Sequence, residues 1–293
     1  MRLFTLAAVA IIVALAACST PSPKAMPDTF TIMTFNIRYD TPRDGINAWP
    51  KRKEAVAALI RREAPAVFGI QEGLLHQVEY LESVLSNYAW VGVGRDDGKL
   101  KGEFTAVFVD STRLNLIDSG TFWMSKTPNK PSKGWDAALN RTTTWVDVKP
   151  RSGKQRFFVF NTHYDHRGDT AKAESSLLIR QKMREIAADY PALLIGDFNS
   201  IPGSIPFENL IQIQDEARNF SSLILGGGLN GEQRSGPAGT FQAFDPAKLI
   251  DHPIDFIFAT PGVSLSNYRH ITDTYADTLY PSDHFPVAAE VTF

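Results

Sequence analysis

The chain has 293 residues, with 30 Lys and Arg against 32 Asp and Glu, a formal net charge of −2, 43% apolar and 21% charged residues. That balance buries a core, so long disorder, collagen and coiled coil are excluded, and the near-zero charge argues against holding nucleic acid by bulk electrostatics. The single cysteine, Cys18, excludes an internal disulfide framework and a cysteine-based zinc site.

Arg2 opens a short positive region, and residues 3–17 are almost entirely apolar, which suits a signal-peptide core and is short for a membrane span. Leu15-Ala16-Ala17-Cys18 looks like a bacterial lipobox, in which cleavage leaves Cys18 as the lipidated N-terminus. The expected organisation is a lipoprotein signal peptide over 1–17, a flexible tether over 18–28 and one folded domain over 29–293. The expected location is the bacterial cell envelope, with the membrane as a partner through Cys18. Ser19, rather than Asp, favours the outer membrane, on its periplasmic or its surface face. Without Arg2 the domain carries 29 cations against 32 anions, a net charge of −3.

Within the domain, residues 31–37 read as a strand that runs into polar residues. Residues 51–63 read as a helix with Ala55, Val56, Leu59 and Ile60 on one face, and its Lys51-Arg52-Lys53 run reads as a solvated flank. Past Pro65, residues 66–70 form a short buried strand, and a helix around 75–85 carries Leu75, Val78, Leu81 and Leu85 at helical spacing. Four strands are predicted at 104–109, 114–122, 142–148 and 157–161, all rich in β-branched and aromatic residues. A third helix spans 172–189 with Leu177, Leu178, Met183 and Ile186 toward the core, and strands follow at 192–195, 254–259 and 285–291. The stretches 125–139 and 221–240 read as irregular, the second because of Gly226-Gly227-Gly228 and Pro237.

The apolar runs end repeatedly in Asn, Asp, Glu and His. Glu72 follows the buried run 66–70, where an unpaired carboxylate is costly; a hard divalent cation or the N-terminus of the next helix would serve as its partner. Asn36 is open between a turn-former and a ligand or hydrogen-bond donor. His163 and His166 flank Asp165, yet no His-Glu-x-x-His or cysteine cluster supports zinc. Asp197 and Asn199 leave the run 193–195 on one side, because the strand period is two. A carboxylate that orients water beside an amide that holds an oxyanion would suit a phosphoester, and an Asx-turn is the plainer alternative. Asp255 lies inside an apolar strand, and Asp283-His284 precedes the last one; a buried Asp beside a His fixes its tautomer and favours its charged form. There is no Gly-x-Ser-x-Gly elbow and no Gly-Lys-Ser/Thr cradle, so neither a serine nucleophile nor a Walker-type site is supported. His76, His252 and His270 have no motif and read as surface or packing residues.

Thr34-Phe35-Asn36-Ile37, Gln71-Glu72, Gly102-Glu103-Phe104, Asn140-Arg141-Thr142, Asn161-Thr162-His163, Gly196-Asp197-Phe198-Asn199, Ile254-Asp255-Phe256-Ile257 and Ser282-Asp283-His284 follow one another across almost all of residues 30–293. In order and spacing they resemble the motifs of the endonuclease/exonuclease/phosphatase superfamily, the fold of pancreatic deoxyribonuclease. The resemblance implies an α+β fold, a four-layer αββα sandwich of two packed, mainly antiparallel sheets with the site at one edge. It also implies Mg²⁺-dependent hydrolysis of phosphoester bonds by an activated water, with Mn²⁺ as a substitute ion. By resemblance, Glu72 would be the main metal ligand, with Asn36 and Asp283 near the ion or its waters. Asp197 would orient the attacking water and Asn199 would stabilise the transition state. His284, paired with Asp255, would act as general base or phosphate clamp. His163 would assist the leaving group or bind a phosphate oxygen, with Glu103 as its orienting partner, and Arg141 would bind substrate phosphate.

The family does not fix the substrate. Arg38, Arg43, Arg95, Lys99 and Lys101, with Trp49, Trp123 and Trp135, are the available material for a nucleic-acid groove. The net charge of −3 and the lack of a basic arm favour a small or lipid-derived phosphoester in the envelope, with a nuclease acting on DNA or RNA as the alternative. A non-catalytic binding module is disfavoured, because decay would remove a carboxylate or histidine and the set is complete. A monomer is expected.

Overall fold

A strand covered on both faces loses apolar–polar alternation, which is why so many of these strands read as continuous apolar runs. The computed structural model describes residues 29–293 except 154, 213–221, 229–230 and 232, so Cys18 and the expected leader and tether lie outside the described residues. The first half of the chain contributes β1 (Thr29–Asn36), α1 (Trp49–Glu63), β2 (Val67–Gln71), α2 (Leu75–Val84), β3 (Tyr88–Val91) and β4 (Val107–Asp110). Next come β5 (Leu114–Trp123), β6 (Thr142–Pro150), β7 (Phe157–His163), α3 (Asp169–Ala187), β8 (Ala192–Asp197) and α4 (Ile205–Ile211). The last elements are β9 (Ile224–Leu225), β10 (Arg234–Ser235), β11 (Asp255–Ala259), β12 (Ser264–His270) and β13 (Val287–Thr292).

Two sheets result, one of seven strands in the order β10-β12-β13-β1-β2-β4-β3 and one of six in the order β5-β6-β7-β8-β11-β9. Neighbours run antiparallel except at β1–β2, β10–β12 and β7–β8. Two of those parallel pairs are joined through a helix, α1 and α3 respectively, as a parallel connection requires.

The side chains divide by the strand period of two. Phe30 and Ile32 of β1, Val67 of β2, Phe157 and Val159 of β7, Leu193 and Ile195 of β8 and Ile257 of β11 form the core between the sheets. Met33 and Phe35 of β1 and Phe68 and Ile70 of β2 pack outward on Val56, Leu59 and Ile60 of α1 and Val78 and Leu81 of α2. Phe158 and Phe160 of β7, Leu194 of β8 and Phe256 and Phe258 of β11 pack on Ile179 and Met183 of α3 and Phe207 and Leu210 of α4. Three apolar cores thus separate four layers, the α+β αββα sandwich that the motifs imply.

The structure corrects three local expectations. Arg52 is buried rather than solvated. Leu177 and Leu178 are only half-buried; α3 instead turns Ser175, Ser176, Ile179 and Met183 inward. The two serines are accommodated because Ser175 Oγ donates to the Ala171 carbonyl and Ser176 Oγ to the Pro206 carbonyl. The strand expected from residue 104 begins only at Val107, with Phe104 held as an isolated bridge to Gly73. β3, α4 and β12 were not foreseen.

At one end of the inter-sheet layer the same period that delivers valines delivers polar groups. The inward faces continue as Thr34 and Asn36, Gln71, Thr144 and Thr142, Asn161 and His163, Asp197 and Asp255. Gln71 Nε2 donates to Thr34 Oγ1 at 3.0 Å and to Asn161 Oδ1 at 2.6 Å. Asn161 Nδ2 in turn donates to the carbonyls of Ile70 and Ala106, so one amide ties the two sheets together. Beyond this hydrogen-bonded layer lie the ionisable groups.

Candidate active site

Those strand ends converge on one cavity of about 670 Å³, lined by Glu72, Glu103, Arg141, His163, Asp197, Asn199, Asp283 and His284 among others. Five residues around it adopt left-handed backbone: Arg38 (φ 56°), Glu72 (φ 63°), Asn199 (φ 44°), Ala243 (φ 51°) and Phe244 (φ 59°). Non-glycine residues are uncommon there and the conformation costs roughly 1 kcal/mol, so their clustering marks a constrained edge. The turn at Glu72 takes its carboxylate off the end of β2, where Asn36 Nδ2 donates to Oε1 at 3.2 Å and the Tyr39 N–H donates to Oε2 at 3.2 Å.

Asn36 is the hub of the acidic side. Its amide also donates to Asp197 Oδ2 at 3.0 Å and lies 3.5 Å from His284 Nε2, while the Arg38 N–H fixes its oxygen at 3.0 Å. His284 Nδ1 meets Asp255 Oδ2 at 2.9 Å, the pairing expected from the sequence. Asp197 begins an Asx-turn at the cavity wall. The Asn199 N–H donates to its Oδ1 at 2.9 Å, and Asn199 lines the cavity too.

The opposite side is cationic. Arg141 is buried, with Nη1 3.1 Å from each ring nitrogen of His163, Nη2 donating to His166 Nδ1 at 2.9 Å and Nε 3.4 Å from Asp165. His163 Nε2 lies 3.6 Å from Asp197 Oδ2. The orienting contact expected between Glu103 and His163 is a long one, 3.8 Å, because Glu103 is already engaged by both Nη atoms of Arg95, at 2.6 and 2.8 Å. Glu103 therefore holds Arg95 first and His163 only electrostatically.

These surroundings separate the histidines. Burial would depress His284, but Asp255, Asp197 and Asp283 outweigh it and bring its pKa up to about 10. Burial together with the Arg141 and Arg95 guanidiniums pushes His163 well below the ordinary imidazole value. At neutral pH His284 is thus charged and His163 neutral. Burial, with Asp255 adding to it, raises the Asp197 carboxyl to about 7. Burial also raises Glu103, against the pull of Arg95, and Asp283, against that of His284.

Two groups of side chains could hold a cation. Ligand atoms of Asp197, Asp255 and His284 lie within 4.8 Å of one another, but His284 is already paired with Asp255 and offers nitrogen. Glu72 Oε2 and Asp283 Oδ2 each lie 3.7 Å from the Arg38 guanidinium, so the two carboxylates converge on one guanidinium, with Asn36 bonded to Glu72. An all-oxygen set with few carboxylates suits Mg²⁺ or Mn²⁺, and the residues present fit a hard divalent cation at this second place.

All ten site residues expected from the sequence thus gather at one edge. Arg38 was read only as a groove cation; it is held by Asp44 at 3.1 and 3.2 Å and braces Glu72 and Asp283. Asp44, the Tyr39 N–H, Phe241 and Phe244 were missed, since none of them ends an apolar run. His166, bonded to Arg141, also borders the cavity.

A family model for the endonuclease/exonuclease/phosphatase family matches residues 33–284. Among solved structures, the chain is similar to a protein of that family from Bacteroides thetaiotaomicron, at 34% identity and a TM-score of 0.84 over 92% of this chain and 99% of that one. A mannosyl-6-phosphatase from the same organism matches at 34% identity and a TM-score of 0.82, over 90% and 99% of the two chains. The human nocturnin catalytic domain, at 18% identity and a TM-score of 0.69 over 90% and 94%, shares the fold. No curated protein matches the chain. With residues 33–284 covered by the family model, the chain belongs to the endonuclease/exonuclease/phosphatase family.

Proposed function

We propose that the protein is a divalent-cation-dependent phosphoesterase that removes phosphate from a sugar phosphate. The observation that carries this reading is the cavity itself, about 670 Å³ with an acidic and a cationic wall and with Leu139, Phe241, Phe244 and Ile254 beside them. Its volume is that of a small-molecule site. The mannosyl-6-phosphatase at 34% identity supports the same substrate class. A groove that tracks nucleic acid has less support: Trp49 and Trp123 are only 3% and 5% exposed, Arg95 is bound to Glu103 and Arg38 to Asp44.

A cation held by Glu72 and Asp283, with the Asn36 amide steadying Glu72 beside it, would supply positive charge beside the phosphoryl oxygens. Asp197, steadied by the Asn36 amide and the Asn199 N–H, accepts the proton of the attacking water. His284, with Nδ1 donating to Asp255, offers its Nε2–H to a phosphoryl oxygen, and Arg141 offers a second cationic donor. His163, neutral, offers one ring N–H to the departing oxygen. In the same proposal, cleavage before Cys18 and its lipidation hold the enzyme on the envelope membrane; Cys18→Ser should release it to the soluble fraction.

The test is phosphate release by the mature domain from mannose 6-phosphate and mannosyl-6-phosphate glycans, inositol phosphates, phosphoinositides, DNA and RNA, with Mg²⁺ or EDTA. Release from the sugar phosphates that vanishes in Asp197→Ala supports the proposal. Nicking or shortening of nucleic acid with sugar phosphates untouched would replace it by a nuclease.

A further inference from the structure

Of the run Lys51-Arg52-Lys53 on α1, Lys51 is exposed and Lys53 half-buried, but Arg52 has 0% exposure. Arginine is almost never buried without a carboxylate partner. Here its partners are carbonyls: Nε donates to Asn47 at 2.8 Å, Nη1 to Ile37 at 2.5 Å and Pro281 at 3.0 Å, and Nη2 to Arg38 at 2.7 Å. The rings of Trp49 and Phe244 lie 5.1 and 5.5 Å from its central carbon. Burial lowers its pKa to about 10, which leaves it charged at neutral pH.

The four segments it joins are those that carry the acidic half of the site. Ile37 and Arg38 directly follow Asn36, and Arg38 braces Glu72 and Asp283. Asn47 ends the kinked 3-10 stretch Pro42–Asn47 that contains Asp44. Pro281 precedes Asp283 and His284, and Phe244 lines the cavity. Residues 37–40 and 281–286 belong to no strand or helix, so their carbonyls lack a regular ladder, and one planar fork of donors replaces it.

We propose that Arg52 is the positioning residue of the cation site: by fastening the loop after β1 to the loop before β13, it sets the spacing of Asn36, Glu72 and Asp283 and thereby the affinity for a divalent cation. This rests on reading Glu72 and Asp283 as the cation's ligands, with Asn36 steadying Glu72. Two effects of the side chain have opposite signs. As a buried positive charge near Asp283, Arg52 repels a cation; as a clamp, it holds the ligands together. The clamp predicts that its loss weakens binding, whereas the charge alone predicts that its loss tightens it.

The experiment is calorimetric titration of Mg²⁺ into the wild-type domain, Arg52→Lys and Arg52→Met, each checked for native far-UV circular dichroism. Leu81→Ala, which opens the core under α2 and removes none of the Arg52 bonds, is the control for general destabilisation. Mg²⁺ binding at least tenfold weaker in Arg52→Lys, which keeps charge but not the planar fork, with Leu81→Ala unchanged, is the expected result. Faster amide exchange confined to residues 37–41 and 281–285 of Arg52→Lys should accompany it, and can be read even if Arg52→Met does not fold. Unchanged or tighter binding in Arg52→Lys, or an equal loss in Leu81→Ala, would overturn the positioning role. Absence of Mg²⁺ uptake by the wild type would overturn the ligand reading beneath it.

Discussion

The polar bridge behind the site can be tested by a pair of substitutions that should each harm the protein and together harm it less. A Cβ added at Gly69 would lie 2.4 Å from Asn161 Cγ and Oδ1 and 2.8 Å from its Nδ2, so Gly69→Ala must displace that amide. Overpacking of this kind costs about 1–3 kcal/mol, and the lost hydrogen bonds add to it, giving roughly 3 kcal/mol. Asn161→Ala removes the bonds to the Ile70 and Ala106 carbonyls and from Gln71. Ala106 keeps the Ile70 N–H and Gln71 keeps Thr34, so the Ile70 carbonyl is the group left most exposed to loss. Three bonds at about 1 kcal/mol each, plus that group, give about 3–4 kcal/mol. In the double variant the new methyl fills volume vacated by the amide, and its cost should not exceed that of Asn161→Ala alone. The coupling is then about 3 kcal/mol in the direction of rescue. Urea unfolding of the four proteins, with midpoints compared at constant slope, measures it. Additivity within about 0.5 kcal/mol would show that the two sheets are not locked through this contact.

Other outcomes follow from the site and its surroundings. His284→Ala should lower kcat/KM for the preferred phosphoester about 10³-fold, whereas His76→Ala, an exposed residue paired with Asp40, should leave it unchanged; equal effects would sink the assignment. Saturating Mg²⁺, at about 100 times its Kd, should stabilise the domain by about 2.7 kcal/mol and raise Tm by roughly 5 °C or more, reversibly with EDTA, and Glu72→Ala should remove the shift. His270 is buried, donates Nδ1–H to the Pro237 carbonyl and lies near Arg234 and Asp255; burial brings its pKa down to about 4. The unfolded chain therefore takes up a proton between about pH 6.5 and 4 that the folded chain refuses, so stability is full above that window and falls with pH within it. From this residue the loss between pH 6.5 and 5 is about 2 kcal/mol, and His270→Gln should remove it from the pH dependence of urea unfolding; an identical slope in both proteins would contradict the argument.

Where sequence and structure agree, the reason is local. A run such as Leu193-Leu194-Ile195 must be covered on both faces, and whatever polar residue ends it must stand at the rim of a layer; Asp197, His163 and Asn36 were legible on that ground. The elements that were missed lack such runs. β12 is an outer, mostly solvated strand whose Ser264-Leu265-Ser266-Asn267 start resembles a loop, and α4 has seven residues beginning Ile205-Pro206. Arg52 was misread because helical periodicity says which face a residue shares and says nothing about what lies opposite. Only the folded chain brings the carbonyls of Ile37 and Pro281 to the same point. The Arg95–Glu103 pair is a similar case, since a carboxylate near His163 in a motif gives no sign of a nearer competitor eight residues away.

The direction of β1 has a consequence for access. The strand begins at Thr29, paired with Thr292, and ends at Asn36 in the cavity, about 23 Å further on at the usual rise per residue. Anything covalently attached ahead of Thr29 is therefore rooted at the pole opposite the mouth. Were Cys18 the anchor proposed above, the eleven residue steps from it to Thr29 would span at most about 40 Å when fully extended. Held by that pole, the enzyme would graze outward: phosphates on soluble or protruding chains arrive directly at the opening, while head groups in the anchoring leaflet lie behind its back.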